Sequence, residues 1–215
     1  MATAGVEATR FYQPERLTST EALRPYQRAP RLMEWVADKR LERFRKKNTN
    51  PDGSAKFHYT AIVTRAQPWQ LGHEKSFDAA DSITDPTGKV VIVIPDVGER
   101  NLDNPFTAEK CEEIITERLT ARGIPEDRYT FFHIIDLHNP PLWVETIVTR
   151  LENEQGITLD AVVSLNPGVI GPFEGLSAQL EHPIAVLQPP SVFRRRNRGG
   201  VVREGLRASG DLVPV

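Results

Sequence analysis

A single cysteine, Cys111, stands in the 215 residues. No disulfide can close within the chain, and a cysteine-based zinc site is excluded. A reducing, cytoplasmic setting is the expectation from that scarcity. His133 and His138 flank an apolar run without a third ligand at a suitable spacing, so no protein-held metal is expected. No apolar run is long enough to cross a bilayer. An excess of one charge is also missing: 27 Lys and Arg face 29 Asp and Glu, for a formal net charge of -2. Bulk electrostatics therefore point to neither nucleic acid nor a membrane surface. The opening Met-Ala-Thr-Ala-Gly-Val-Glu lacks the basic-then-apolar layout of a secretory signal, and Glu7 and Glu15 argue against an organelle transit peptide.

Proline, by contrast, is abundant: 17 residues, clustered near the ends and in turns, which predicts a compact centre with irregular flanks. The length suits one sizeable α/β domain with an appendage. Residues 1–30 carry Pro14, Pro25 and Pro30 among arginines and read as an extended arm, lying on the body or on a partner subunit. Residues 31–47 have helical periodicity through Leu32, Trp35, Val36, Leu41 and Phe44, with a basic end that suits a helix C-terminus. The charge run there reads as a solvated face. A turn-rich linker, 48–54, follows. The expected division is thus an arm and helix over 1–55 and a catalytic-type domain over 56–215.

That domain alternates strand and helix. Strands are expected at 57–64, 89–94, 129–135, 159–164 and 184–187, and helices at 71–83, 107–122 and 142–152, with a last helix over 201–208. Asp85-Pro-Thr-Gly88 reads as a turn. Lys89-Val-Val-Ile-Val-Ile94 is the β-branched run of a central parallel strand buried on both faces. This order predicts a doubly wound parallel sheet, whose ligands bind outside the carboxyl ends of the strands.

The loops after those strands therefore carry the functional reading. The first, Thr64-Arg-Ala-Gln-Pro-Trp-Gln-Leu-Gly-His73, delivers the end of a strand to the start of a helix, where free backbone N–H groups attract anions. It resembles the Gly-Arg-Phe-Gln-Pro-Phe-His-x-Gly-His segment of the archaeal-type nicotinamide-nucleotide adenylyltransferases, within the HxGH nucleotidyltransferase superfamily. Arg65, Gln67, Pro68, Gly72 and His73 match; Gln70 replaces the first histidine and Thr64 the first glycine. Further loops resemble the same family in order: Asn104-Pro-Phe-Thr-Ala-Glu, Gly123-Ile-Pro-Glu-Asp-Arg-Tyr129, Asp136 with Trp143-Val144 seven positions on, and Ser164-Leu-Asn-Pro167. Near the C-terminus, Arg198-Gly-Gly-Val-Val-Arg203 stands where the family has Ser-Gly-Thr-x-x-Arg. The loop after the second strand, with Asp96 and Gly98, does not match. The first 55 residues have no counterpart.

The resemblance implies a Rossmann-like nucleotidyltransferase fold and transfer of AMP from ATP to nicotinamide mononucleotide, with release of pyrophosphate. It implies Mg2+ accompanying the triphosphate, a homo-oligomer, and no nucleic-acid or membrane partner. The residue roles it implies are these. His73, Arg65 and Arg203 contact the reacting phosphates. Gln67, Gln70, Gly72, Arg198, Gly199 and Gly200 cradle the triphosphate, and Ser164 and Asn166 border the adenine. Asp136, Asn139 and Trp143 frame the acceptor's base, with core packing as the other reading of Trp143. Cys111 reads as core. The changes at Gln70 and in the C-terminal motif keep two alternatives open: another triphosphate or acceptor in specialised metabolism, and a nucleotide-binding regulatory protein with weak catalysis.

Overall fold

The computed structural model describes residues 38–96, 98, 101 and 104–189. The chain divides into two compact units, 1–39 and 40–215. The expectations for the arm, for the first part of the 31–47 helix and for the helix over 201–208 lie outside the described residues. So do Arg198, Gly199, Gly200 and Arg203.

In the second unit, residues 40–47 are helical. The order is then β1 (Phe57–Val63), α1 (Leu71–Asp81), β2 (Thr84–Asp96), α2 (Ala108–Ala121), β3 (Tyr129–Ile135), α3 (Pro140–Gln155), β4 (Ala161–Val163), α4 (Pro167–Ser177) and β5 (Ala185–Leu187). The five strands form one sheet in the order β3-β2-β1-β4-β5, and every pairing is parallel. The doubly wound sheet expected from the sequence is the one observed, with its switch point between β1 and β4.

Period-two alternation in β2 sorts side chains into two layers. Val90, Ile92 and Ile94 pack with Phe77 and Ala80 of α1, with Cys111, Ile115 and Leu119 of α2, and with Phe44. Val91 and Val93 face Trp143, Val144, Ile147 and Leu151 of α3 and Val169 and Phe173 of α4. Both faces are therefore covered, which is why this strand reads as an unbroken apolar run. Each fully buried Leu, Ile or Phe in these layers contributes roughly 1.5–3 kcal/mol.

Two elements depart from expectation. The Asp85–Gly88 turn lies inside β2 as an irregularity: Phe57 pairs with Thr84, and the next register partner of β1 is Tyr59 with Lys89. Asp85 Oδ1 accepts from Thr87 N at 2.8 Å, and Arg128 Nη1 donates to the carbonyls of Asp85 and Gly88 at 2.7 and 2.9 Å. Helix α4 was absent from the expected pattern, because Gly168, Gly171, Pro172 and Gly175 all lower helix propensity. It forms because Asn166 caps it, Pro167 suits the first turn, and Val169 and Phe173 gain burial.

Candidate functional site

The end of β1 is fixed before any ligand is considered. Thr64 N donates to Val93 O at 3.0 Å, and Thr64 Oγ1 accepts from Ala66 N at 3.1 Å. Ala66 adopts φ 48, and the Gln67–Pro68 peptide is cis. Cys111, fully buried on α2, points its Sγ at the carbonyls of Ala66 and Arg65, 3.4 and 3.7 Å away. Burial pushes its thiol up to about 11, so it stays protonated and acts as part of the core. The side-chain amide of Gln67 clamps the loop before α2: Nε2 donates to Phe106 O at 2.8 Å and Oε1 accepts from Phe106 N at 3.0 Å. This clamp joins two of the segments that carry the sequence resemblance.

Gln70 occupies the N-cap of α1. Its backbone N–H donates to His73 Nδ1 at 3.0 Å, and its carbonyl accepts from His73 N at 2.9 Å. The ring of His73 also lies against Trp69, 5.3 Å between centroids. Burial pushes the His73 pKa down to about 4, so the ring is neutral near pH 7. With Nδ1 accepting, a neutral imidazole carries its proton on Nε2 and offers it as a donor.

A cavity of about 650 Å³ opens at the switch point, between the ends of β1 and β4 and the first turns of α1. Thr64, Arg65, Gly72, His73, Ser164 and Asn166 line it, together with Lys75, Ser76 and Pro189. A Cβ on Gly72 would meet no atom within 4 Å, so the missing side chain leaves that space for a ligand. Among the described lining residues the charged ones are Arg65 and Lys75; no carboxylate is among them. A second cavity, about 370 Å³, adjoins on the β3 side and shares Val63, Thr64, Arg65 and Asn166. Asp136, His138, Asn139 and Trp143 complete much of its wall. Arg65 Nη2 meets Asp136 Oδ2 at 2.9 Å where the two spaces join.

Of the residues expected here, Arg65, Gly72, His73, Ser164, Asn166, Asp136, Asn139 and Trp143 line one cavity or both. Gln67 and Gln70 are 7% and 9% exposed and line neither; both hold the loop rather than the space in front of it. Trp143 is 7% exposed and packs in the core with one part on the second cavity, so both readings of it meet in one side chain. Asn139 and Asn166 cap α3 and α4 through their Oδ1 atoms, and Ser164 Oγ accepts from Asn166 N at 3.1 Å. His133 Nε2 lies 2.9 Å from Glu112 Oε2 on another face of the protein. Sequence reasoning missed Lys75. Little in the sequence marked it: Lys75 stands in the second turn of α1, outside every motif. Among the described residues no group of three or more His, Cys, Asp or Glu could hold a metal ion. The walls of the larger cavity offer cations and hydroxyls, which suit an anionic ligand.

The site is thus a parallel α/β sheet with an anion-favouring cavity at its switch point and a second cavity beside it. Comparison with known proteins shows the same fold and a partial sequence likeness. The chain is 31% identical over 93 residues to the nicotinamide/nicotinic acid mononucleotide adenylyltransferase of Acinetobacter baylyi, a match covering 43% of this chain and 47% of that protein. Among solved structures it is similar to a bifunctional NMN adenylyltransferase/ADP ribose pyrophosphatase from Francisella tularensis, with a TM-score of 0.59 and 16% identity over 72% of this chain and 43% of that one. The same bifunctional protein complexed with AMP and a manganese ion gives a TM-score of 0.56 and 18% identity, over 71% and 42% of the two chains. The match thus spans less than half the length of each of these proteins. No family model matches the chain. The resemblance read from the loops is therefore matched in sequence by an adenylyltransferase and in fold by others.

Proposed function

We propose that the protein transfers AMP from ATP to nicotinamide mononucleotide, forming NAD and pyrophosphate. The observation that carries this reading is the pair of adjoining cavities that share Arg65 at the end of β1. A reaction that joins two nucleotides needs two binding spaces meeting at the reacting phosphorus. Their volumes are of the size of small-molecule sites.

ATP occupies the larger cavity, with its phosphates before the N-terminus of α1 and its adenine beside Ser164 and Asn166. Gly72 admits the phosphates, and His73 donates from Nε2 to an α-phosphate oxygen. The mononucleotide occupies the smaller cavity, its base against Trp143 between Asp136 and Asn139. Its phosphate oxygen attacks the α-phosphorus; the bond to the β-phosphate oxygen breaks and the electron pair leaves with pyrophosphate. The attacking phosphate is already anionic, so no general base is required. Arg65 sits where both phosphates converge and offsets their repulsion. Arg198, Gly199, Gly200 and Arg203 serve the β- and γ-phosphates in this reading. A divalent ion such as Mg2+, carried by the triphosphate oxygens, would supply neutralisation of the leaving group's charge.

The test is turnover with each of ATP, GTP, CTP and UTP, Mg2+ and nicotinamide mononucleotide, with pyrophosphate and dinucleotide products separated by chromatography. NAD formed from ATP supports the proposal. Turnover confined to another triphosphate or acceptor replaces it with a related transferase. Thermal stabilisation by nucleotides without turnover replaces it with a nucleotide-binding role.

A further inference from the structure

We propose that Lys75 is a phosphate ligand that exchanges a carboxylate of the protein for the nucleotide. The inference deepens the nucleotidyl-transfer reading and rests on it for the identity of the ligand. Lys75 lies on α1 two residues beyond His73 and lines the larger cavity with it. Helix energetics do not favour a lysine there. Lys75 stands in the second turn, where the helix dipole gives a cation no support, and a lysine that precedes its acidic partner on a helix is the weaker orientation of such a pair. A phosphate in front of α1 would give Lys75 a partner of opposite charge in the cavity it lines.

In the present arrangement Lys75 Nζ bonds Asp78 Oδ2 at 3.1 Å. The other oxygen of that carboxylate is held by Arg122 Nη2, at the end of α2. Two cations therefore share one carboxylate. When Lys75 turns away, Asp78 keeps Arg122, and its charge is not left uncompensated beside the core. Arg65 is placed differently. Among the described residues no second lysine or arginine pairs with Asp136, and His138 Nδ1 lies 3.8 Å from its other oxygen. Release of Lys75 is thus the less costly way to bring positive charge to an arriving anion. Its flexible stem and compact ammonium suit such a movement.

Calorimetric titration of Mg2+-ATP and of inorganic pyrophosphate into Lys75→Gln, Lys75→Arg, Asp78→Asn and Arg122→Gln tests this, with a salt series for each. Lys75→Gln is expected to weaken both ligands about tenfold and flatten the salt dependence, while Lys75→Arg recovers most of the affinity. Asp78→Asn frees Lys75 and tightens binding. Arg122→Gln leaves Lys75 as the sole partner of Asp78 and weakens it. Binding by Lys75→Gln within about twofold of the parent overturns the proposal, as do equal shifts in Asp78→Asn and Arg122→Gln. Should Lys75→Gln fail to fold, the opposed pair at Asp78 and Arg122 decides alone. The two readings fail separately. A parent protein that makes NAD with a Lys75→Gln variant that binds normally sinks only the lysine. A parent that makes no dinucleotide but loses pyrophosphate binding on Lys75→Gln sinks only the reaction.

Discussion

His73 Nδ1 accepts the backbone N–H of Gln70, 3.0 Å away, so the imidazole expected to meet the phosphate also closes the helix it begins. That single bond sets the tautomer, and burial sets the charge, with the pKa pushed down to about 4 from 6.5. The neutral ring is favoured in the folded state. Its contribution to stability is complete above pH 6.5 and is lost as pH falls towards 4, because the unfolded chain takes up the proton first. The loss is expected to reach at most ~3 kcal/mol. Urea titrations from pH 7 to pH 4, compared with His73→Gln, should show it; a parallel pH dependence in the two proteins would remove the assignment. Nitrogen-edited NMR should find the proton on Nε2 at neutral pH. His73→Ala should abolish dinucleotide formation while the fold persists.

Gln67 should matter for stability before it matters for ligands. Gln67→Ala strips both hydrogen bonds from the Phe106 backbone and leaves a sheltered donor and acceptor unmatched. The expected cost is ~1–3 kcal/mol by denaturant unfolding. Gln67→Glu keeps an acceptor but sets a carboxylate against the Phe106 carbonyl, and should cost at least as much. A Gln67→Ala protein as stable as the parent would mean that the clamp contributes nothing.

Gly88 has its conformation fixed by a neighbour rather than by a turn. A Cβ there would stand 1.9 Å from the His58 carbonyl oxygen, which belongs to β1 and cannot swing aside as a side chain can. Gly88→Ala should cost ~1–3 kcal/mol through displacement of the strand pair. Thermal unfolding with an unchanged midpoint would count against the close approach.

The Arg65–Asp136 pair predicts a separation of activity from stability. Both side chains reach solvent, Arg65 being more than half exposed, so Asp136→Asn or Arg65→Ala should change unfolding free energy by no more than ~1 kcal/mol. Arg65→Ala should nevertheless lower kcat/KM for both substrates, since the side chain borders both cavities. A loss confined to one substrate would assign Arg65 to one cavity alone.

Much of this was legible in the chain. The β-branched run 89–94 and the apolar periods of 71–83 and 107–122 set the alternating elements, and the alternation sets the sheet. Glycine and histidine in Leu71-Gly-His73 marked the end of α1 that lines the larger cavity. Helix α4 was not legible, because the pull towards burial of Val169 and Phe173 outweighs local propensity only once the sheet is there to receive them. The 85–88 segment reads as a turn, but it lies within β2 as a register irregularity held by Arg128, which lies some forty positions along the chain.

Sequence alone determined the class of fold and the loops that carry the site, because hydrophobic period and turn chemistry are local properties written residue by residue. Tertiary structure decided which of those residues line the cavities. Gln67, which matches the family motif, and Gln70, which replaces its first histidine, are spent on Phe106 and on the start of α1, while Lys75, outside every motif, lines the cavity. The physical reason is that a polar side chain answers to whichever donor, acceptor or charge the folded chain brings nearest, and those partners lie far away in sequence.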